Sequence, residues 1–241
     1  MYIIVCLTIV TLLSYFLSDY IKKYSINTYI VVSTLSLMAI IHAILILNGN
    51  SIEYVVGLKQ LMRAIDSGAM GGAVFILVMY MGVFDMKKAY QRKLRVIRAE
   101  LSIIGCIITF PHNVHYLFSF IMNSGSIVKA RDFTVWTNLM MFAAAIIAII
   151  IMIPLFITSF RYFRKKISAK AWKNLQEYAY IFYAMIFIQV MMVYLGRPSS
   201  LVRNLNLLFY FLIFTSYTVL KIKMVCEKRR LKIEKLAANK Y

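Results

Sequence analysis

"WKNLQEYAYIFYAMIFIQVMMVY", Trp172 to Tyr194, is an apolar run flanked by a basic loop, with an amide near its start at Gln176 and another deep inside it at Gln189. A helix rises about 1.5 Å per residue, so a run of this length crosses roughly 30 Å of hydrocarbon. Carrying an amide into hydrocarbon is costly unless it meets a partner there. The stretch therefore reads as a membrane span, and its two glutamines raise the question of what they face.

The rest of the chain agrees with a membrane setting. Of its 241 residues 62% are hydrophobic and the mean hydropathy is +0.76, against an apolar share near one half in soluble domains. Apolar runs of spanning length fall at about 1–19, 27–48, 66–85, 99–122, 134–160, 174–195 and 205–224. "MYIIVCLTIVTLLSYFL" has no small-residue cleavage site and reads as a retained helix. No internal repeat or low-complexity linker divides the chain. The expectation is an all-α integral membrane protein with about seven transmembrane helices.

The formal charge of +19 suggests nucleic acid until its distribution is considered. Lys22 and Lys23, "DMKKAYQRKLRVIR", "RYFRKKISAKAWK" and the tail "KIKMVCEKRRLKIEKLAANK" hold 22 of the 28 basic residues. Only Lys59, Arg63, Lys129, Arg131, Arg197 and Arg203 lie in the other set of loops. The positive-inside rule makes the first set cytoplasmic. It puts the N-terminus outside and the C-terminus in the cytoplasm of a multi-pass plasma-membrane protein, with the positive charge facing anionic lipid. No nucleic-acid partner is expected.

Three cysteines, Cys6, Cys106 and Cys226, form no C-x-x-C pair, so neither a disulfide framework nor a zinc site is indicated. No HExxH, GxSxG or P-loop motif is present, and no Gly-rich dinucleotide fingerprint. No self-contained NAD(P)H-oxidising domain is therefore expected.

All three histidines, His42, His112 and His115, fall inside spans. Counting rise from the basic side puts His42, His112 and Gln189 at one level, roughly 20–22 Å in. Side chains sharing a level on separate helices can hold a cofactor between them, and haem iron accepts imidazole as an axial ligand. They can equally hydrogen-bond neighbouring helices. His112 and His115, three apart, share a helix face. Pro111 frees a backbone carbonyl one turn back.

"RAELSIIGCIITFPH" (Arg98 to His112) and "PLFITSFRYFRKKISAKAWKNLQEYAYIFY" (Pro154 to Tyr183) resemble two signatures of the ferric reductase-like transmembrane domain family. That family includes the haem-binding membrane subunit of the periplasmic methionine sulfoxide reductase system. The resemblance covers about 60–220. It implies a six-helix core over 27–226, preceded by an additional N-terminal helix over 1–26 and followed by a basic tail over 227–241. It implies haem b gripped between two helices, with His112 in the first ligand position. In the second ligand helix, Gln176 and Gln189 stand where many members carry histidine, so one expected haem-ligand histidine is replaced by Gln189. His42 or His115 could then serve as second ligand.

The function implied is membrane-embedded electron transfer. Electrons would come from a cytoplasmic reductase or a quinol, with flavin or quinone supplied through partners. They would leave to an extracytoplasmic flavoprotein or metal acceptor. The other reading is a haem-free relative of the same fold, acting as a non-catalytic assembly or interaction subunit.

Overall fold

The computed structural model describes residues 2–49, 56–129 and 133–238. Arg131 lies outside the described residues, as does the side chain of Lys129. The described residues form eleven helices and no strand. In order these are α1 (Tyr2–Phe16), α2 (Ser18–Lys23), α3 (Ser25–Leu47), α4 (Val56–Asp66), α5 (Ala69–Met81), α6 (Ala89–Val96), α7 (Arg98–Lys129), α8 (Phe133–Ser159), α9 (Arg161–Arg164), α10 (Ala169–Leu195) and α11 (Leu201–Ala238).

Five of these helices, α3, α7, α8, α10 and α11, are long and apolar enough to cross a membrane. The other two expected spans take a different form. The first is the 15-residue α1, continued by α2 after a turn at Leu17. The third is a helix pair, α4 and α5, bent by 65° at a short break and counting as a sixth span if the two are taken together. The expected continuous span at 66–85 is thus a 13-residue helix entered through a sharp turn. The cause is local. Gly68 sits at φ +74°, a left-handed conformation that ends one helix and starts the next at little cost only for glycine. The helix α11 runs unbroken for 38 residues and continues into the basic tail.

Its short length suits α5 to the middle of the bundle. It is apolar on every side, and Ala73 through Met79 are all buried. A helix with no polar face has to be surrounded. It packs between α1 and α7. Small residues permit the close approach to α7. Gly71 lies on the Thr109 side chain, and a Cβ at Gly105 would come within 3.1 Å of Val74 and Phe75. Elsewhere α10 lies along α8, α3 along α7, and α11 against α10.

Pro111, buried inside α7, removes the amide that would have bonded the Ile107 carbonyl. The structure supplies a substitute donor: Ser36 of α3 donates its hydroxyl to that carbonyl at 2.8 Å. In an apolar surround such a replacement is what makes a helix-interior proline tolerable. It also ties α3 to α7 one turn before His112.

The basic loops gather at one end. Lys22 bonds Glu100 at 2.7 Å, and Lys93 pairs with Asp19 at 3.3 Å. Arg164 lies over the Trp172 ring at 4.3 Å. Ser168 caps α10 by accepting from the Ala171 amide at 3.2 Å.

Candidate functional site

The α4–α5 break is the structural origin of the site. It places Asp66 at the end of one helix and Gly68 at the start of the next, against α3 and α7. The Asp66 carbonyl oxygen lies 2.7 Å from Nδ1 of His112, close enough to accept its proton. The imidazole lies flat against Gly68, where a Cβ would meet ring atoms at 2.8–3.0 Å. Both the left-handed φ and this contact select glycine. With Nδ1 donating to a carbonyl, the proton sits there and Nε2 keeps its lone pair. No described residue hydrogen-bonds Nε2.

His42 comes to the same place from α3. It is buried, and its Nε2 lies 3.6 Å from the Asp66 carboxylate. His115, one turn beyond His112, is within electrostatic reach of Asp66 as well. Its Nδ1 is buried and without a hydrogen-bond partner among the described residues, as is Oδ1 of Asp66. Tyr116 packs its ring against both histidines of α7, with centroids 4.5 and 5.5 Å apart. His42 and His112 therefore meet at Asp66, a residue that sequence reading missed, while Gln189 has no described contact with it. Asp66 was read as the edge of an apolar run. The signal that could have found it is "DSG" at 66–68, an acid two residues before a turn glycine.

His112 also borders a cavity of about 690 Å³ enclosed by α1, α5, α7, α8, α10 and α11. That volume is in the range of cofactor and small-molecule sites. Gln189 of α10 borders the same cavity, so the two positions that the resemblance assigns to haem ligands line one space. His42 and His115 are not among the described residues lining it. Its wall also carries Thr109, whose buried hydroxyl has no hydrogen-bond partner among the described residues. At the end away from the basic loops stand Arg197 and Arg203. Arg203 donates through Nε to the Tyr194 carbonyl at 2.8 Å, and Arg197 lies over the Tyr194 ring at 5.4 Å.

Among the described residues no three His, Cys, Asp or Glu side chains converge to hold a metal ion by themselves. A haem iron asks less, since the porphyrin supplies four donors and the protein only axial ones. An oriented imidazole, an amide on the facing helix, an orphaned hydroxyl and guanidinium groups at one end fit a haem. The fit is through one strong axial donor.

A second cavity of about 300 Å³ lies at the basic end, between α5, α7, α8 and α10. Gln176 lines it, with Trp172, Ser102 and Cys106, and no histidine does among the described residues. Phe75, Met152, Phe182 and Tyr183 border both cavities and form the partition between them. Phe75 and Phe182 meet edge to face, with centroids 4.9 Å apart.

The family model described as ferric reductase like transmembrane component matches residues 67–187. A protein of Treponema pallidum (strain Nichols), described as an uncharacterized protein, is 27% identical over 183 residues. The match covers 72% of this chain and 48% of that protein, so the chain spans about half the length of this relative. No solved structure matches.

Proposed function

The chain belongs to the ferric reductase-like transmembrane family, and from that premise we propose that it is a membrane electron-transfer protein holding a single b haem in the larger cavity. The observation that carries this reading is His112. It has Nδ1 engaged by the Asp66 carbonyl, its ring seated on Gly68, and a place on the wall of a 690 Å³ cavity opposite Gln189.

Bound haem would supply a one-electron carrier within the hydrocarbon layer. His112 would hold the iron through Nε2. The Asp66 carbonyl fixes the tautomer and raises the basicity of the ring, as outer-shell acceptors do for ligating histidines. Gln189, on the same cavity wall, would offer only an amide, a weak donor compared with imidazole. Arg197 and Arg203 would pair with haem carboxylates, or attract an anionic acceptor, at the end away from the basic loops. His42 and His115 would act through Asp66, setting the charge beside His112 rather than touching the group. Phe75, Phe182 and Tyr183 form an aromatic wall shared by the two cavities. It is also where an electron from the basic side would have to pass. A quinol or a separate reductase at the basic end, and a flavoprotein or metal acceptor at the other, complete the proposed path.

Absorbance of detergent-purified protein, oxidised and then dithionite-reduced, tests this. Wild type is expected to show a Soret band and b-type reduced maxima. His112→Ala should abolish them and His115→Ala should keep them. Gln189→His should convert the spectrum to a six-coordinate, low-spin form, since imidazole is the stronger donor. A colourless wild type after expression with ample haem would favour the haem-free, non-catalytic relative.

A further inference from the structure

The cavity at the basic end has an imbalance of charge that the electron-transfer reading does not use. Lys22, Arg95, Arg98 and Arg164 all line it. Lys22 is satisfied, donating to Glu100 at 2.7 Å and to the Val96 carbonyl at 3.1 Å. The other three have no carboxylate partner. The ion pairs among the described residues are Lys22–Glu100, His42–Asp66, Lys93–Asp19 and Arg230–Glu234. Arg95 and Arg98 are half-buried and Arg164 is exposed at the mouth, so like charges border one space with no carboxylate between them to offset their repulsion. An anion between them removes that cost and gains charge-assisted hydrogen bonds.

A second observation points the same way. Trp172 Nε1 is buried and has no hydrogen-bond partner among the described residues, and Trp172 lines this cavity. A buried donor without an acceptor is costly. The ring is held in place by the Arg164 guanidinium stacked over it at 4.3 Å. Gln176 contributes an amide to the same wall. The cavity thus offers donors and positive charge together.

Its far wall has opposite character. Phe75, Val78, Leu155, Phe156 and Phe182 are apolar. A free inorganic anion would satisfy the guanidinium groups and leave this surface bare. A ligand with a phosphate at one end and hydrocarbon at the other matches both. Basic pockets between membrane helices recognise lipid headgroups by this combination.

We propose that this cavity binds the phosphodiester headgroup of an anionic phospholipid from the leaflet at the basic end. Arg95, Arg98 and Arg164 hold the phosphate, Trp172 Nε1 donates to it, and the start of an acyl chain lies on the Phe75–Phe156 surface. The bound lipid ties α7 to α10 at the basic end of the bundle.

The chain has two tryptophans, so Trp136→Phe leaves Trp172 as the single indole reporter. This protein in lipid-free detergent is titrated with phosphatidylglycerol, phosphatidylcholine and inorganic phosphate while indole emission is followed. Native mass spectrometry of the same samples counts retained lipid. Phosphatidylglycerol should give a saturable change and one retained molecule, and phosphatidylcholine neither. Arg95→Gln and Arg164→Gln should each weaken lipid binding about tenfold, the loss of one charge-assisted hydrogen bond. Arg230→Gln, in the exposed tail, should leave it unchanged. Equal binding of both lipids, or retention unaffected by Arg95→Gln and Arg164→Gln, overturns the proposal. Saturation by inorganic phosphate at the same concentration as phosphatidylglycerol also overturns it, and reassigns the site to a soluble phosphoryl ligand.

Discussion

The cavity under the α4–α5 break and the cavity at the basic end share Phe75, Met152, Phe182 and Tyr183 as a common wall, yet their chemistry is opposite. The first has an imidazole whose tautomer is fixed by a backbone carbonyl. The second has no imidazole on its described wall but carries three guanidinium groups without carboxylate partners and an unsatisfied indole N–H. Both lie between α7 and α10, the two helices expected to grip haem. The difference teaches that one fold offers two neighbouring spaces, of about 690 and 300 Å³, whose walls carry different polar atoms. In the first these atoms come from a helix break. In the second they come from the loops that border the membrane.

The break is the most sensitive point. Gly68→Val adds a β-branched side chain at φ +74° and drives it into the His112 ring. Gly49→Val imposes a comparable strain at φ +80° with nothing within 4 Å. Gly68→Val should cost roughly 3 kcal/mol or more and remove haem, while Gly49→Val should cost about 1–2 kcal/mol and keep it. Thermal unfolding in detergent, read alongside the Soret band, separates them. Equal losses would mean the His112 contact contributes nothing.

Gln176→His asks whether the second cavity can be turned into the first. Across the space from Gln176, α7 presents Ser102 and Cys106 rather than an imidazole, and the guanidinium groups remain. The variant should bind no additional haem by pyridine haemochrome assay. A second haem would show that the residue type alone, and not the rim, sets the difference.

Asp66→Asn removes the carboxylate but keeps the carbonyl that bonds His112. Haem occupancy should survive. The reduction potential should rise by roughly tens of millivolts, because a nearby negative charge stabilises the ferric state. Loss of haem in Asp66→Asn would show that the side chain, not the backbone, holds the site.

The smallest effect is expected at the basic end. Lys22→Met leaves the mostly buried Glu100 carboxylate, 13% exposed, without its partner. It should lower stability by about 1 kcal/mol and leave the haem spectrum unchanged.

Much of this comparison could be read from residue order, and some could not. Long apolar runs such as Thr134–Ser159 announce themselves, because a membrane helix must be apolar over its whole length. The Pro111–His112 pair was legible as a weak point in α7, but the Ser36 hydroxyl that repairs it was not, since a serine inside an apolar run has no signature of its partner. The run 66–85 concealed its turn. One glycine among several, Gly68, adopts a left-handed backbone, and hydropathy averages do not register it. Asp66 was hidden for the same reason, and with it the carbonyl that orients His112. The second cavity was hidden for another. Its arginines served to set topology in the sequence, and only packing shows three of them converging on one space.

The central claim is that one cavity, and only one, is fitted for haem. The haem-to-protein ratio of purified wild-type protein, by pyridine haemochrome against quantitative amino-acid analysis, tests it most directly. One haem per chain, lost entirely in His112→Ala, is the expected result. Two haems per chain, or one that persists in His112→Ala, would contradict it.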